Sequence, residues 1–119
     1  MDRAHIGALP IVKSCDVLVV GGTAAGVQFA LGCRAQGLEV MLVAPRPYLG
    51  DDICSAFRFW PDRTIPSTGL ARAVFGPQAG PPTPLHVKCT LEQQLVREGI
   101  PFLLNCQPAG VLRNRGGRV

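Results

Sequence analysis

Residues 15–26 read Cys-Asp-Val-Leu-Val-Val-Gly-Gly-Thr-Ala-Ala-Gly, an apolar run that passes straight into a glycine-rich turn. Val17, Leu18, Val19 and Val20 follow one another without a polar break, the pattern of a parallel strand covered on both faces. Gly21 and Gly22 admit a tight turn through backbone conformations closed to other residues. A helix beginning near Thr23 or Ala24 then points its free N–H groups, and the positive end of its dipole, toward that turn. Strand, turn and helix in this order make a seat for a diphosphate.

Working outward, the helix ends at Gly37, a C′ glycine. Gly26 and Ala30 stand four apart on one helical face, so the helix can lie close to a sheet. Residues 38–43, Leu-Glu-Val-Met-Leu-Val, form a second apolar strand. Together these make one βαβ unit, whose crossover is right-handed by rule. The fold class is therefore α/β, a partial doubly wound parallel sheet of the Rossmann-like dinucleotide-binding kind. Residues 1–14 are a lead-in, and residues 15–119 form a single domain interrupted by a 45–84 loop excursion. That excursion holds Phe57, Phe59 and Trp60, with Trp60 expected to anchor it, and closes on a proline-rich surface linker over 76–84. Helical periodicity returns over residues 85–98, where Val87, Leu91 and Leu95 recur every four positions and Gly99 supplies the stop. Residues 100–104, Ile-Pro-Phe-Leu-Leu, read as a third strand. Val111 to Arg113, a turn at 114–117 and Arg118-Val119 read as a hairpin cut off in its second strand. On this reading the chain is the N-terminal fragment of a longer protein.

Composition narrows the class. The 119 residues are 47% hydrophobic and 17% charged, as in a globular domain with a modest core. The net charge of +4 comes mainly from ten scattered arginines. The densest group, Arg113, Arg115 and Arg118, has no aromatic residue beside it, so it is read as a solvated turn and not as a nucleic-acid surface. Cys15, Cys33, Cys54, Cys89 and Cys106 are odd in number and hold no Cys-x-x-Cys pair, which favours small buried thiols over disulfides or a metal site. No apolar run is long enough to span a bilayer, and the N-terminal residues carry no signal-peptide pattern. A cytoplasmic protein without membrane or nucleic-acid partners is expected.

The turn departs from the Gly-x-Gly-x-x-Gly pattern in one place. With Gly21 as the first glycine, the second position is Thr23 and the third is Gly26. Thr23 brings a Cβ where backbone approaches a pyrophosphate, and also a hydroxyl that can donate to a phosphate oxygen. The second departure is Ala44, at the strand end where Asp or Glu hydrogen-bonds a ribose hydroxyl. Losing one charged hydrogen bond costs on the order of 1.5–3 kcal/mol, roughly one to two decades in affinity.

These residues carry a resemblance. Residues 19–27 (VVGGTAAGV), 42–50 (LVAPRPYLG), 87–95 (VKCTLEQQL) and 99–104 (GIPFLL) resemble, in that order, the FAD-dependent oxidoreductases. The resemblance covers residues 15–119. It implies an FAD-binding domain of the glutathione-reductase type, with a β meander inserted whose start is the hairpin near Val111. It further implies that Gly21, Gly22, Thr23, Ala24, Ala25 and Gly26 cradle the FAD pyrophosphate. Arg46, with Ala44 and Pro45 before it, would lie near the adenosine ribose or diphosphate, Ala44 leaving the family's usual ribose contact empty. Leu49, Gly50, Asp51 and Asp52 would run from the ADP half toward the flavin. Asp51 and Asp52 also read as ordinary turn or capping residues, Arg46 as a solvated arginine and Cys54 as a structural thiol. His5 and His86 are poor general-base candidates, and no catalytic residue is identified.

Two other functions compete. An NAD(P)-binding Rossmann module would use Arg46, beside the acid-free Ala44, for a 2′-phosphate. A non-catalytic truncated remnant would fold poorly or bind nothing. The small-molecule substrate, the electron acceptor and the oligomeric state are not encoded in these patterns.

Overall fold

The computed structural model describes residues 10–60, 68–76, 81–113 and 116. Three parallel strands, β1 (Val17–Val20), β2 (Val40–Val43) and β3 (Phe102–Leu103), form a sheet in the order β1-β2-β3. Helix α1 (Ala24–Ala35) connects β1 to β2. The path from β2 to β3 contains α2 (Asp51–Cys54), α3 (Gly69–Phe75) and α4 (Pro84–Arg97). The α/β reading and the βαβ unit therefore hold. In register, Val17 faces Val40 and Val20 faces Val43, and the ladder runs on through Gly21 N–H to Val43 O at 2.8 Å.

β2 is the inner strand, and Val40, Met41 and Leu42 are all buried. β1 differs from expectation. Val19 is buried, but Leu18 and Val20 are 54% and 53% exposed. Side chains alternate across a strand, and the helices that contribute to the core meet only one side of β1. Val19, Val40 and Leu42 share that core with Val27 and Ala30 of α1 and with Val87, Leu91 and Leu95 of α4. A continuous apolar run marked the strand correctly but overstated its cover.

Each longer helix is capped as its sequence invites. The Thr23, Thr68 and Thr83 hydroxyls accept from the N–H groups of Gly26, Ala71 and His86 respectively. Pro84, expected within the linker, opens α4 at a position where its missing N–H costs nothing. Gly37 and Gly99 follow the ends of α1 and α4, as anticipated. The described parts of the 45–84 excursion hold two helices, α2 and α3, that its composition did not suggest. Thr68 with Leu70 and Val74 one turn apart is a capped amphipathic turn, and both leucine and valine are buried in α3. Phe59, at 7% exposure, is the aromatic that packs into the core. Trp60 lies 72% exposed and does not anchor the segment.

β3 is shorter than the anticipated strand because Pro101 donates no hydrogen bond and the chain turns at Asn105, whose φ is 54°. Val111 to Arg113 form no strand, and the rest of the expected hairpin, residues 114–115 and 117–119, lies outside the described residues. The lead-in is described only from residue 10. The cysteines are unpaired; Cys33 and Cys54 pack half-buried against the core, Cys15 and Cys106 are half-buried, and Cys89 is exposed. Among the described residues no metal-binding group occurs, and no helix is long and apolar enough to cross a membrane.

Candidate functional site

At the C-terminal edge of β1 and β2, the glycine turn closes tightly. Gly21 takes a φ of 126°, which only glycine adopts freely. Gly26 is required for a different reason, since a Cβ there would stand 2.5 Å from the Gly21 carbonyl oxygen, a backbone atom that cannot move aside. Gly22 lies against the second strand, where a Cβ would meet the Ala44 Cβ at 2.7 Å. The loop after β2 is pinned to the same turn by the Gly50 N–H, which donates to Gly22 O at 2.7 Å.

The result is a recess of about 290 Å³, counting its open side, lined by Gly21, Gly22, Thr23, Ala44, Pro45, Arg46, Tyr48 and Asp51. Six of these were expected from the sequence. Ala24, Ala25 and Gly26 form the first turn of α1 directly behind them. Ala44 is buried at the floor, its N–H and C=O spent on Leu103 and Cys106. No carboxylate can be offered from that position.

Asp52 is placed differently from a group that touches a phosphate. Its Oδ1 accepts the Ala24 N–H at 2.9 Å, so a carboxylate sits at the positive end of α1. The neighbouring first-turn donor, the Gly26 N–H, goes to Thr23 Oγ1 at 3.0 Å. The N–H groups of Gly22, Thr23 and Ala25 meet no acceptor among the described residues. Backbone donors at a helix N-terminus, beside a turn kept narrow by Gly21, Gly22 and Gly26, suit a diphosphate. The Asp52 carboxylate works against it.

Tyr48 was not singled out from the sequence, and Asp51 was expected on the run toward the flavin or as a turn residue, whereas both line this recess. The Tyr48 hydroxyl donates to Asp51 Oδ1 at 3.1 Å, and the Ser55 hydroxyl donates to the same oxygen. Arg46 Nε stands 3.6 Å from it. The Ser55 hydrogen bond, then Tyr48 and Arg46, hold the Asp51 carboxyl below its ordinary value of 3.8 against the opposing effect of burial. Lys88 of α4 lies 3.9 Å over the Tyr48 ring, tying this loop to the core helix. The three-residue spacing of Tyr48 and Asp51, and the four-residue spacing of Asp51 and Ser55, are signals for such a cluster only once the loop is known to enter a helical turn.

Comparison with known proteins bears on this arrangement. No curated protein matches the chain. Among solved structures, 2-naphthoyl-CoA reductase in complex with 2-naphthoyl-CoA is similar at 19% identity and a TM-score of 0.49, over 83% of this chain. The chain spans only 12% of that protein's length. A family model described as FAD dependent oxidoreductase matches residues 16–119, which take in every element from β1 to β3. With the parallel sheet, the glycine turn and this match over nearly the whole sequence, the chain belongs to the FAD-dependent oxidoreductases, a family whose cofactor is FAD.

Proposed function

We propose that this chain supplies the FAD-binding region of a flavin-dependent oxidoreductase, with the pyrophosphate held at the turn from Gly21 to Gly26. The observation that carries this reading is the set of unengaged N–H groups of Gly22, Thr23 and Ala25 around a turn closed to side chains at Gly26. Bound there, FAD supplies the hydride or electron chemistry. This chain's own residues bind and orient the adenosine half: the turn donates to the phosphates, and Ala44, Pro45 and Arg46 border the ribose. The substrate is a small molecule, and the five unpaired thiols suit a reducing, cytoplasmic setting.

A second reading keeps the fold and changes the ligand. Arg46 on the recess, with no acid at Ala44, is favourable to the 2′-phosphate of NADP. Its Nε, however, is already paired with Asp51, and an anion placed there would meet that carboxylate.

The test is thermal unfolding of the purified chain with each nucleotide, followed by FAD titration using flavin fluorescence. Stabilisation by FAD and not NADPH is expected, by about 2.7 kcal/mol at a hundred times Kd. Stabilisation by NADPH alone would transfer the assignment to the second reading. No effect of either would leave the chain as a non-binding remnant.

A further inference from the structure

In nucleotide-binding folds of this type an acid at the end of the second strand accepts from the adenosine ribose, and here that position is the buried Ala44. A carboxylate nevertheless reaches the same recess from another element. Asp51, at the start of α2, lines it together with Gly21, Thr23 and Ala44. Its two oxygens are in different situations. Oδ1 takes the Tyr48 and Ser55 hydroxyls and faces the Arg46 guanidinium, which fixes the plane of the carboxylate. No side-chain hydrogen bond among the described residues reaches Oδ2, although the side chain is only 35% exposed.

We infer that Asp51, oriented by Tyr48 and Ser55, is the acceptor for the ribose hydroxyls of the nucleotide, in place of the missing acid at residue 44. The inference rests on the pyrophosphate lying at the Gly21–Gly26 turn. A ribose attached to a pyrophosphate there would lie toward the end of the second strand, where Ala44 and Asp51 line the same recess. A carboxylate positioned in advance accepts a hydroxyl without a reorganisation cost, and its charge makes the hydrogen bond one of the stronger kind. The same charge disfavours a ribose bearing a 2′-phosphate. Asp51 thus acts on specificity, selecting a 2′-hydroxyl nucleotide.

The experiment compares the affinity of the purified chain for FAD and for FAD carrying 2′-deoxyadenosine. In the unsubstituted protein FAD binds roughly ten- to a hundredfold more tightly, the loss expected for one charged hydrogen bond. In Asp51→Ala the ratio of the two affinities falls to near one. Tyr48→Phe releases the carboxylate plane while leaving the charge in place, and narrows the ratio part-way. It also serves if the alanine variant does not fold, as judged by circular dichroism. An unsubstituted protein that binds both forms equally overturns the inference and leaves the FAD assignment intact. So does a ratio that persists in Asp51→Ala. Failure to bind FAD at all defeats the FAD assignment itself.

Discussion

The Asp52 carboxylate accepts a hydrogen bond from the Ala24 N–H at 2.9 Å, and so joins the loop after β2 to the first turn of α1. The pair lies 28 positions apart in the chain and places a negative charge at the helix end that a diphosphate would also occupy. Two effects follow with opposite signs. The charge–dipole attraction stabilises the apo fold, while the same charge repels an incoming phosphate.

Asp52→Asn separates them. Asparagine keeps an acceptor oxygen for Ala24 and removes the charge. Chemical denaturation should show a loss of about 0.3–1 kcal/mol, the usual worth of a charge at a helix end. FAD affinity should rise over the same substitution. A variant that binds FAD more weakly at unchanged stability would show that Asp52 contributes to the site instead of opposing it.

The two glycines of α1 that lie six positions apart should respond to alanine in opposite directions. Gly26→Ala drives a Cβ to 2.5 Å from the Gly21 carbonyl oxygen, so the turn must open. Overpacking of this kind costs typically 1–3 kcal/mol, and FAD binding should fail with it. Gly32 has nothing within 4 Å of an added Cβ and is exposed within the helix. Gly32→Ala should stabilise by roughly 0.5–1 kcal/mol through the reduced backbone entropy of the unfolded chain. Urea unfolding of both variants checks the pair.

Asp51 also makes stability depend on acid. Its folded pKa lies below the ordinary 3.8, so the native state holds the proton less tightly than the unfolded chain does. The stabilisation is therefore fully present above pH 3.8 and is lost as pH falls through the lower folded value. Unfolding profiles from pH 6 downward should be steeper for the unsubstituted protein than for Asp51→Asn. Parallel profiles would mean that the Tyr48 and Ser55 hydrogen bonds do not form in solution.

Thiol chemistry distinguishes two cysteines on adjacent helices. Burial pushes the Cys54 thiol above 9.0, Asp52 and Asp51 add to the effect, and Lys88 opposes it. Cys89, on α4, is exposed. The thiolate is the reactive form, so at mildly alkaline pH iodoacetamide should label Cys89 faster than Cys54. Peptide mapping after brief labelling measures the order, and rapid labelling of Cys54 would contradict its burial beside Pro84.

Some features were legible in the residues because their causes are local. The apolar runs of β1 and β2, the threonine and glycine at helix ends and the four-residue spacing of Val87, Leu91 and Leu95 each act through neighbours in sequence. Those patterns were enough for the α/β class, for the position of the glycine turn and for the resemblance that named FAD. They also allowed the absence of an acid at Ala44 to be noticed.

What required the tertiary structure depends on contacts between segments distant in the chain. The exposure of Leu18 and Val20 follows from which side of the sheet the helices occupy, and a run of valines carries no such information. Phe59 and Trp60 are neighbours of similar character, and only the packing separates the buried ring from the exposed one. Asp51 and Asp52 are adjacent carboxylates with the same local surroundings in sequence. Successive side chains in a helical turn point about 100° apart, so Asp52 reaches Ala24 across the chain while Asp51 turns to Tyr48, Ser55 and the recess. The turn and its cofactor class were set by residues next to one another, and the division of labour between the two aspartates was set by how the loop folds back onto them.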